Sequence, residues 1–361
     1  MNITLFISSL YGGGAERVTC SLANYLAGRG HEVEILTMAE TENSYQLNGE
    51  VSVQALLYMR ERKGKLYNNV LRITRLRQYM KKHTEKDVYI VMLPIPTVLL
   101  LSLRSATKAK IIASERVSPA AYDFIKTKAL RRLAPRADGF VFQTQEALEW
   151  YGESVKHVRT AVIPNAINRQ FLRPRYKGER KKNIVAAGRL SKQKNFELLI
   201  RAFKKITPDC PDYKLIIYGE GGLRKELEAL IKENGLEDLV SLPGNTTEII
   251  EKIQDASLFV LSSDYEGMPN ALMEAMALGL PCISTDCPCG GPRFLIENGI
   301  NGLLVPVGDE DKLSEAIKKI LNNPQLADKF GTEASKISGR LDPDKIYGQW
   351  EAFIKKTAGQ R

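Results

Sequence analysis

Short, largely apolar runs alternate with longer amphipathic segments along most of this chain. Residues 3–8, 88–93 and 258–261 are runs of the first kind, and each is followed by a loop that leads into a helical pattern. Runs of this length predict buried strands, and their alternation with helices predicts an α/β fold with parallel sheets. In such sheets ligands bind beyond the carboxyl ends of the strands, so the loops after these runs are the candidate sites.

The alternation pauses once and then resumes, which predicts two domains. A chain of 361 residues is also longer than one hydrophobic core usually serves. Residues 169–182 are polar and basic and contain proline and glycine, which is typical of a linker. We therefore expect a first domain at 1–168, a linker at 169–182, a second domain at 183–343 and a C-terminal segment at 344–361. Flexibility of the linker would let a cleft between the domains open and close.

The formal net charge is +10, and the positive charge is concentrated. Between positions 60 and 82, nine basic residues stand beside one acid, Glu61. Such a concentration predicts an anionic partner, which could be nucleic acid, an anionic lipid surface or a diphosphate.

Most of these basic residues fall on the segment 65–82, which has the pattern of an amphipathic helix. Its apolar face consists of Leu66, Val70, Ile73 and Met80. Another face carries Arg72, Arg75 and Lys82. Two interpretations are open: the apolar face packs on the domain core, or the helix forms a patch that touches a membrane surface or a lipid diphosphate.

The cysteine pattern and the apolar stretches indicate the cellular compartment in which the protein is expected. The cysteines number five and are scattered, which is typical of reduced thiols in the cytoplasm. Residues 1–7 have no basic leader and read as a strand, so we expect no signal peptide. The longest apolar stretch, 90–103, is too short for a membrane span and contains two prolines. We expect a protein that is soluble or peripheral to a membrane.

Two clusters resemble metal ligands, but each has a simpler explanation. Cys287 and Cys289 have no second pair and no nearby histidine, so they do not form a zinc motif. Residues 309–311 (DED) stand at a predicted helix start, where capping accounts for them. We predict no metal requirement.

The most informative stretch is residues 263–277 (SDYEGMPNALMEAMA), which follow a buried run and lead into a helix. Pro269 suits the start of a helix, and Gly267 lets another molecule approach the backbone closely. The N–H groups of a helix start form a ready site for phosphate. Glu266 on the loop and Glu274 about one turn into the helix can both face a ligand that lies across this helix end.

Residues 188–195 (GRLSKQKN) also lie between a predicted strand and a helix. When a nucleoside diphosphate leaves, negative charge accumulates on its phosphates, and two fixed cations in a dry cleft can stabilise that charge without a metal. Arg189 can bind a phosphate bidentately, and Lys194 can act as a point charge.

The glycine-rich segment 12–17 (GGGAER) opens the first domain in a similar strand–loop–helix arrangement. Backbone amides at such a loop can approach an anion. The glycine spacing is not that of a nicotinamide-binding fingerprint. A tight turn without a ligand is the alternative.

In their order and spacing, these motifs resemble those of the retaining glycosyltransferases of family 4, which have the GT-B fold. Glu266 and Glu274 resemble the Glu-x7-Glu signature of that family, and the resemblance spans nearly the whole chain. Within that family, the chain most resembles the bacterial N-acetylgalactosaminyltransferases that extend undecaprenyl-diphosphate-linked glycans. The resemblance implies two Rossmann-like domains with a cleft between them and a helix near 346–356 that crosses back to the first domain.

The implied activity is that of a hexosyltransferase in cell-surface polysaccharide or glycan assembly. It would move a sugar, N-acetylgalactosamine by the nearest likeness, from a UDP-sugar to a hydroxyl of a polyprenyl-diphosphate-linked glycan, and the product would be α-linked. The enzyme would be cytoplasmic, peripheral on the inner face of the cytoplasmic membrane, and would need no cofactor. A front-face mechanism is favoured because no residue is a convincing covalent nucleophile.

The resemblance also implies roles for individual residues. Glu266, Arg189 and Lys194 would be catalytic, with Glu266 holding sugar hydroxyls, and Glu274 would hold the ribose hydroxyls. The implied contacts to the donor are Gly13, Gly14, Asn165, Gly219, Gly221, Asn245, Gly267, Met268, Asn270, Ala271, Leu272 and Glu274. The implied contacts to the acceptor or its lipid diphosphate are Arg72, Arg75 and Arg116.

One position departs from the family pattern. Many relatives place a histidine after the strand that corresponds to Lys110–Ser114, whereas this chain has Glu115 and Arg116 there. Either residue could take over the role of that histidine, or the role could be absent.

Three alternative functions remain open on the sequence. A capsule, exopolysaccharide or lipopolysaccharide hexosyltransferase with another donor would share the same motifs. A nucleic-acid-modifying GT-B enzyme would explain the net charge, although the basic helix has few aromatic residues for stacking on bases. A non-catalytic nucleotide-sugar sensor would bind the donor without turning it over.

Overall fold

The computed structural model of the protein describes residues 1–359, with the backbone alone at Ala120. The chain forms two compact units, each built around its own sheet. The first unit comprises Met1–Ala166 and the C-terminal segment from Asp344, and the second comprises Ile167–Pro343.

The first unit is centred on a seven-stranded sheet in which every strand pairing is parallel. Its elements are, in chain order, β1 Asn2–Ile7, α1 Gly14–Gly28, β2 Glu32–Thr37, β3 Val51–Ala55, α2 Lys65–Lys82, β4 Val88–Met92, α3 Pro94–Ser102, β5 Lys110–Ser114, α4 Phe124–Leu133, β6 Gly139–Phe142, α5 Gln145–Tyr151 and β7 Arg159–Val162. The strand order is β3-β2-β1-β4-β5-β6-β7, so the chain reverses direction across the sheet between β1 and β4. All residues of β4 are buried, as its apolar sequence predicts.

Strand β3 is an element that the hydrophobic pattern did not predict. Its sequence is VSVQA, and residues 52–54 are exposed because the strand lies at the edge of the sheet. An edge strand buries less surface than a central one, so its apolar signal in the sequence is weak.

The last helix of the chain, α14 at Pro343–Ala358, packs on the first unit from Asp344 onwards. Trp350 is 1% exposed, and the guanidinium carbon of Arg116 lies 5.0 Å from the centre of its ring. Glu351 accepts from Arg29 Nε at 3.3 Å and belongs to the same interface. The helix therefore completes the core of the unit that begins the chain.

The second unit is built on a six-stranded parallel sheet of order β10-β9-β8-β11-β12-β13. Its elements are β8 Lys181–Ala187, α6 Phe196–Ile206, β9 Lys214–Tyr218, α7 Arg224–Glu233, β10 Val240–Gly244, α8 Ile249–Ile253, β11 Ala256–Leu261, α9 Asn270–Ala277, β12 Cys282–Thr285, α10 Gly291–Leu295, β13 Leu303–Val305, α11 Glu310–Leu321, α12 Pro324–Ser335 and α13 Ile337–Arg340. Helix α6 buries Leu199, Phe203 and Ile206 against this sheet. Their spacing of three or four residues keeps them on one face of the helix.

Residues 169–182, expected as a flexible linker, belong instead to the second unit. Arg175 forms an ion pair with Asp328 at 2.6 Å, and Arg180 Nη2 donates to the carbonyl of Gly279 at 2.8 Å. Strand β8 begins within the same segment. The basic composition predicted an unattached, solvated segment, but two of its arginines hold the segment in place. A guanidinium group has five N–H donors and can bind carboxylates as well as backbone carbonyls.

Helix α2 has the predicted bounds but does not bury the predicted face. Leu66, Val70 and Ile73 are exposed, so the interpretation in which they pack on the core is wrong for these three residues. The residues of α2 that are buried are Leu76, Tyr79 and Met80. Met80 is the one member of the predicted apolar face that is buried. The other two buried residues of the helix, Leu76 and Tyr79, lie outside that face, and Tyr79 is a residue that the apolar pattern did not count.

Two arginines of α2 are engaged within the first unit. Arg72 Nε donates to the carbonyl of Met38 at 3.1 Å. Arg75 donates to both carboxylate oxygens of Glu61, at 2.6 and 2.7 Å, and to the carbonyl of Leu56. These hydrogen bonds lower the pKa of Glu61 to about 2. Arg75 thus holds the segment before α2, and Arg72 holds the residue that follows β2. Any contact of these side chains with an acceptor diphosphate would compete with these bonds.

The longest apolar stretch of the sequence, residues 90–103, is divided between two elements. Strand β4 ends at Met92 and helix α3 begins at Pro94. Within residues 1–359, no helix combines the length and the apolar character needed to span a bilayer.

Candidate active site

The predicted motifs of the second unit lie on neighbouring loops. Strands β9, β8, β11 and β12 are adjacent and parallel, so the loops that follow them meet at one edge of the sheet. Residues 188–195 follow β8, residues 219–222 follow β9, and residues 262–269 lie between β11 and α9. Segments that are far apart in the sequence are therefore brought to one place.

The loops after β8 and β11 are joined by hydrogen bonds between backbone and side-chain groups. The amide of Asp264 donates to the carbonyl of Gln193 at 2.9 Å, and Asn195 Nδ2 donates to Asp264 Oδ1 at 2.7 Å. Ser262 Oγ donates to the carbonyl of Lys194 at 2.9 Å. These bonds fix the position of Lys194 relative to the loop after β11.

Lys194 and Glu266 form the ion pair at the centre of this cluster. Lys194 Nζ lies 2.6 Å from Glu266 Oε1, and the two side chains are 17% and 8% exposed. Ser263 Oγ donates to the same oxygen at 2.7 Å. Among the described residues, Glu266 Oε2 accepts one long bond, from Gln193 Nε2 at 3.4 Å. Oε2 is therefore the carboxylate oxygen with capacity to accept a hydrogen bond from a ligand.

The same loop leads directly into helix α9, whose N-cap is Pro269. The first backbone bond of the helix runs from the amide of Met273 to the carbonyl of Pro269 at 3.1 Å, so the amides of residues 270–272 lie ahead of the helical ladder. Glu274 lies one turn into the helix and is 8% exposed. The positive end of α9 thus stands beside the Lys194–Glu266 pair, and both predicted carboxylates lie on this one loop–helix segment.

The loops after β8 and β9 touch through their backbones. Gly219 has φ +142°, and a Cβ there would lie 1.9 Å from the carbonyl oxygen of Gly188. A Cβ at Gly221 would lie 2.2 Å from the carbonyl oxygen of Leu190. The two glycines therefore serve the packing of the loops, which explains their spacing independently of any ligand.

A third backbone contact supports the loop that carries Glu266. Gly291 begins α10, and a Cβ at this position would lie 1.8 Å from the carbonyl oxygen of Gly267. Only a residue without a side chain allows this approach, so Gly291 fixes the position of the Gly267 loop.

We expect Gly291→Ala to displace the Gly267 loop and to lower the free energy of unfolding by about 1–3 kcal/mol, as overpacking usually does. The measurement is thermal unfolding together with the binding of UDP. Gly339→Ala is the matched control, because nothing lies within 4 Å of a Cβ at that helical glycine. Equal unfolding temperatures and equal UDP affinity for both variants would contradict the assigned role of Gly291.

Other predicted residues of the second unit lie along the same edge of the sheet. Arg189 is exposed on the loop after β8, and Asn245 is exposed directly after β10. Met268 and Leu272 have buried side chains, so their backbone groups are what a ligand could meet. In the first unit, Gly13 and Gly14 form the N-cap and first residue of α1, after β1.

Cys287, whose thiol interacts electrostatically with Glu266 and Lys194, is not a candidate nucleophile. Cys287, on the loop after β12, is 1% exposed, and burial raises the pKa of its thiol to about 12. The thiol is therefore protonated at neutral pH. Among residues 1–359, no group of three or more histidine, cysteine, aspartate or glutamate side chains could hold a metal ion.

Glu115 and Arg116, at the position of the family histidine, are buried in the first unit. Glu115 accepts from the hydroxyls of Tyr122 at 2.5 Å and Tyr151 at 2.8 Å, and from the amide of Val117. Burial raises the pKa of this carboxyl, and the hydrogen bonds from the two tyrosines oppose that rise. Both carboxylate oxygens are occupied in holding the unit together, so Glu115 is placed as a structural residue.

Arg116 is held by several partners at once. Its Nε donates to Ser114 Oγ at 2.8 Å, its Nη1 donates to Asn165 Oδ1 at 2.9 Å, and its plane lies over Trp350. Gln143 donates to the same oxygen of Asn165 at 2.8 Å. Burial lowers the pKa of Arg116 to about 10, so it keeps its charge at neutral pH. Its Nη2 is buried and has no hydrogen-bond acceptor among the described residues.

The sequence analysis missed several members of the cluster. Ser263 and Gln193 bind Glu266 but carry no motif of their own, and Gly291 acts only through its lack of a side chain. A usable signal existed for Ser263 and Gln193, because they lie within the stretches 263–277 and 188–195 that carry the predicted site residues. Gly291 lies in a second glycine-rich loop whose contact with Gly267 depends on the pairing of β11 with β12.

Two family models match this chain, and they divide it nearly as the structure does. The model described as Glycosyltransferase Family 4 matches residues 12–171, and the model described as Glycosyl transferases group 1 matches residues 168–337. The chain belongs to the family 4/group 1 glycosyltransferases. The predicted family is thereby confirmed, and the cluster around Glu266 lies within the group 1 part of this glycosyltransferase.

Relatives with assigned names are similar over nearly the whole glycosyltransferase. An exopolysaccharide phosphotransferase of Streptomyces coelicolor is 30% identical over 97% of this chain, which spans only 40% of that protein's length. A Campylobacter jejuni enzyme is 27% identical over 99% of both chains. Its name is GalNAc-α-(1→4)-GalNAc-α-(1→3)-diNAcBac-PP-undecaprenol α-1,4-N-acetyl-D-galactosaminyltransferase.

A solved structure is similar in fold. It is that of the Anabaena protein HepE in complex with UDP and glucose, which matches 99% of this glycosyltransferase with a TM-score of 0.82 at 19% identity. At that identity the likeness concerns the fold alone. The fold is GT-B, with two Rossmann-like units, as the sequence predicted.

Proposed function

We propose that this glycosyltransferase moves a sugar from a UDP-sugar to a hydroxyl of a polyprenyl-diphosphate-linked glycan during the assembly of a cell-surface polysaccharide or glycan. N-acetylgalactosamine is the first choice of sugar. The observation that carries the proposal is the 2.6 Å pair of Lys194 and Glu266 beside the start of α9. It joins a cation suited to a departing diphosphate with a carboxylate suited to sugar hydroxyls.

The proposed step breaks one bond and forms one. The bond between the anomeric carbon and the diphosphate oxygen breaks, and UDP leaves with the electron pair. The acceptor oxygen bonds to the anomeric carbon on the same face, and its proton passes to a departing diphosphate oxygen. Retention gives an α-linked product from an α-linked donor.

We propose that Lys194, Arg189 and the amides at the start of α9 stabilise the negative charge that develops on UDP as it leaves. An ammonium group has three N–H donors, and its bond to Glu266 uses one of them. A helix N-terminus adds favourable electrostatics at the same place. Because these groups supply positive charge without a metal, we propose that the reaction needs none.

The two carboxylates are proposed to bind the sugar and the nucleoside. Glu266 Oε2 would accept from a sugar hydroxyl while Oε1 stays on Lys194 and Ser263. Glu274 would bind the ribose hydroxyls. Gly13 and Gly14, together with Asn165, Asn245 and Met268, remain proposed contacts of the donor.

The acceptor is proposed from the relatives. The name of the Campylobacter enzyme specifies an undecaprenyl-diphosphate-linked glycan, and the similarity covers 99% of both chains. HepE was solved with UDP and glucose, which supports a UDP-sugar donor. A lipid-linked acceptor would bring this enzyme to the inner face of the cytoplasmic membrane. We assign Arg116 to an anionic group of the acceptor, because its buried Nη2 can donate a further hydrogen bond.

The proposal is tested by measuring UDP release from a panel of UDP-sugars with a polyprenyl-diphosphate glycan extract, in the presence of EDTA. We expect one donor, UDP-N-acetylgalactosamine first, to give turnover that Glu266→Ala abolishes. The anomeric configuration of the product, read from its proton coupling constant, should be α.

Each other outcome corrects a defined part of the proposal. Turnover with a GDP-sugar alone would overturn the donor, and a β-linked product would overturn retention. Turnover that EDTA abolishes would overturn metal independence. Binding of UDP-sugars without turnover on any acceptor would favour the non-catalytic sensor.

A further inference from the structure

The side chain of Gln193 lies beside the less occupied oxygen of the Glu266 carboxylate. Its Nε2 is 3.4 Å from Glu266 Oε2, and the same nitrogen donates to the carbonyl of Tyr265 at 3.0 Å. Gln193 belongs to the loop after β8, whereas Tyr265 and Glu266 belong to the loop after β11. A ligand group that binds Glu266 Oε2 therefore comes close to the amide of Gln193.

The position of Gln193 is fixed by its backbone as well as by its side chain. Its carbonyl accepts from the amide of Asp264 at 2.9 Å, and residues 192–194 form a short turn of 3-10 helix. The side chain is half-buried. The amide is therefore held in place before a ligand arrives, which reduces the conformational entropy lost on binding.

The donors and the acceptor of this amide have different surroundings. Nε2 faces the carbonyl of Tyr265 and the carboxylate of Glu266, which are both acceptors. An amide oxygen in that position would face two acceptors, so the contacts assign the nitrogen to it. Gln193 Oε1 receives no hydrogen bond from the residues that the structure describes, and it is not fully buried. It is therefore an oxygen that can accept a hydrogen bond from a ligand.

Two hydrogen-bond acceptors thus lie beside each other, Glu266 Oε2 and Gln193 Oε1. Such a pair suits neighbouring polar hydrogens of a sugar ring, either two hydroxyls on adjacent carbons or a hydroxyl and the N–H of an acetamido group. It does not suit a diphosphate, whose ionised oxygens are acceptors themselves. The chemistry of the pair therefore matches the sugar of a nucleotide sugar and not its phosphates.

We propose that Gln193 is a specificity-determining residue that binds the donor sugar, with Oε1 accepting from the polar group next to the hydroxyl on Glu266. This inference rests on the proposed function, which places a sugar hydroxyl on Glu266 Oε2, and it names a second residue that reads the sugar. A sugar without the matching group would leave Oε1 desolvated and without a partner. Gln193 would therefore discriminate against that sugar.

A purely structural role accounts for Gln193 less completely. The loops after β8 and β11 are also joined by the bond from Asn195 to Asp264 and by the bond from Ser262 to the carbonyl of Lys194. Joining the loops therefore does not depend on the side chain of Gln193. A bond to the Tyr265 carbonyl also requires only an N–H donor, whereas glutamine adds an acceptor beside Glu266.

The test compares the binding of UDP and of a set of UDP-sugars to the full chain by calorimetry. The set consists of UDP-N-acetylgalactosamine, its 3-deoxy, 4-deoxy and 6-deoxy analogues, and UDP-galactose, which has a hydroxyl in place of the acetamido group. With the unmodified protein, the analogue that lacks the group bound by Gln193 should bind about tenfold more weakly than UDP-N-acetylgalactosamine. With Gln193→Met, these two ligands should bind within about twofold of each other, and the affinity for UDP alone should not change.

Gln254→Met is the matched control. Gln254 is also a half-buried glutamine of the second unit, but it precedes β11 and therefore lies at the opposite edge of the sheet. This variant should keep every preference of the unmodified protein. Glu266→Gln should remove the preference for a different group, at the adjacent position of the ring. Thermal unfolding establishes that all variants are folded.

A loss of affinity in Gln193→Met that is equal for every sugar, or that extends to UDP alone, would overturn the proposal and assign Gln193 to the support of the loop. Unchanged preferences in that variant would also overturn it. Failure of the proposed function has a different signature, because the unmodified protein would then bind no UDP-sugar more tightly than UDP, and this inference would fall with it. If another UDP-sugar binds most tightly, the deoxy analogues of that sugar form the set.

Discussion

Replacing Glu266 by glutamine is expected to reduce the turnover number for sugar transfer by roughly 10²- to 10³-fold. Glutamine keeps the size of the side chain but removes the negative charge that Lys194 Nζ meets at 2.6 Å. It also leaves the ammonium group in a largely buried position without its counter-ion, which should cost on the order of 3 kcal/mol of folding stability. The measurements are steady-state UDP release and thermal unfolding.

The control for this substitution is Glu237→Gln, which removes the same charge from an exposed position of the second unit. We expect that variant to retain full turnover and an unchanged unfolding temperature. A Glu266→Gln protein that is folded and transfers sugar within a few-fold of the unmodified rate would show that the carboxylate does not act in the reaction.

Replacing Lys194 by methionine is expected to have an effect of similar size, roughly 10²- to 10³-fold on turnover, because the departing diphosphate loses a fixed cation. The Michaelis constant for the donor should change less, since the charge on the diphosphate is greatest in the transition state. Lys192→Met is a close control: it removes the same charge from an exposed position in the same short helical turn. A selective rise in the donor's Michaelis constant, with turnover preserved, would place Lys194 in ground-state binding instead.

Combining the two substitutions tests whether the pair acts as one unit. Glu266→Gln/Lys194→Met should lose about as much turnover as the more damaging single change, because each single change already disrupts the same contact. It should also be more stable than either single variant, since neither charge is then left alone in the cluster. Losses that simply multiply would mean that the two residues act independently.

The bounds of α2 and the strand ends beside the site could be predicted from local pattern. Every residue of β4 is buried, so its apolar run clearly predicted a strand. The glycine-containing loops after β8 and β11 carry motifs that can be recognised in the sequence without knowledge of the fold. Strand β3 could not be predicted in this way, because it lies at an edge and exposes three of its residues.

The orientation of α2 shows that the hydrophobic pattern alone does not predict which face of a helix is buried. Periodicity identifies the residues that share a face of a helix, but it does not say which face meets the sheet. Leu66, Val70 and Ile73 form a regular apolar stripe, yet the face that packs inward is the one with Leu76 and Tyr79. Tyr79 can be buried because its hydroxyl lies 3.3 Å from Thr4 Oγ1, a partner that only the folded sheet provides.

The sequence by itself determined the family, the two α/β units and the two loops that carry Lys194 and Glu266, because glycine positions, charged residues and apolar runs are local chemical requirements. The tertiary structure decided which of these residues meet. Lys194 reaches Glu266 because β8 and β11 are adjacent parallel strands, and Gly267 is held because Gly291 leaves room for its carbonyl. Residues 169–182 are held by carbonyls and carboxylates that lie far away in the chain. Contacts of this kind depend on strand order and on distances of a few ångströms, and neither is written in any local stretch of sequence.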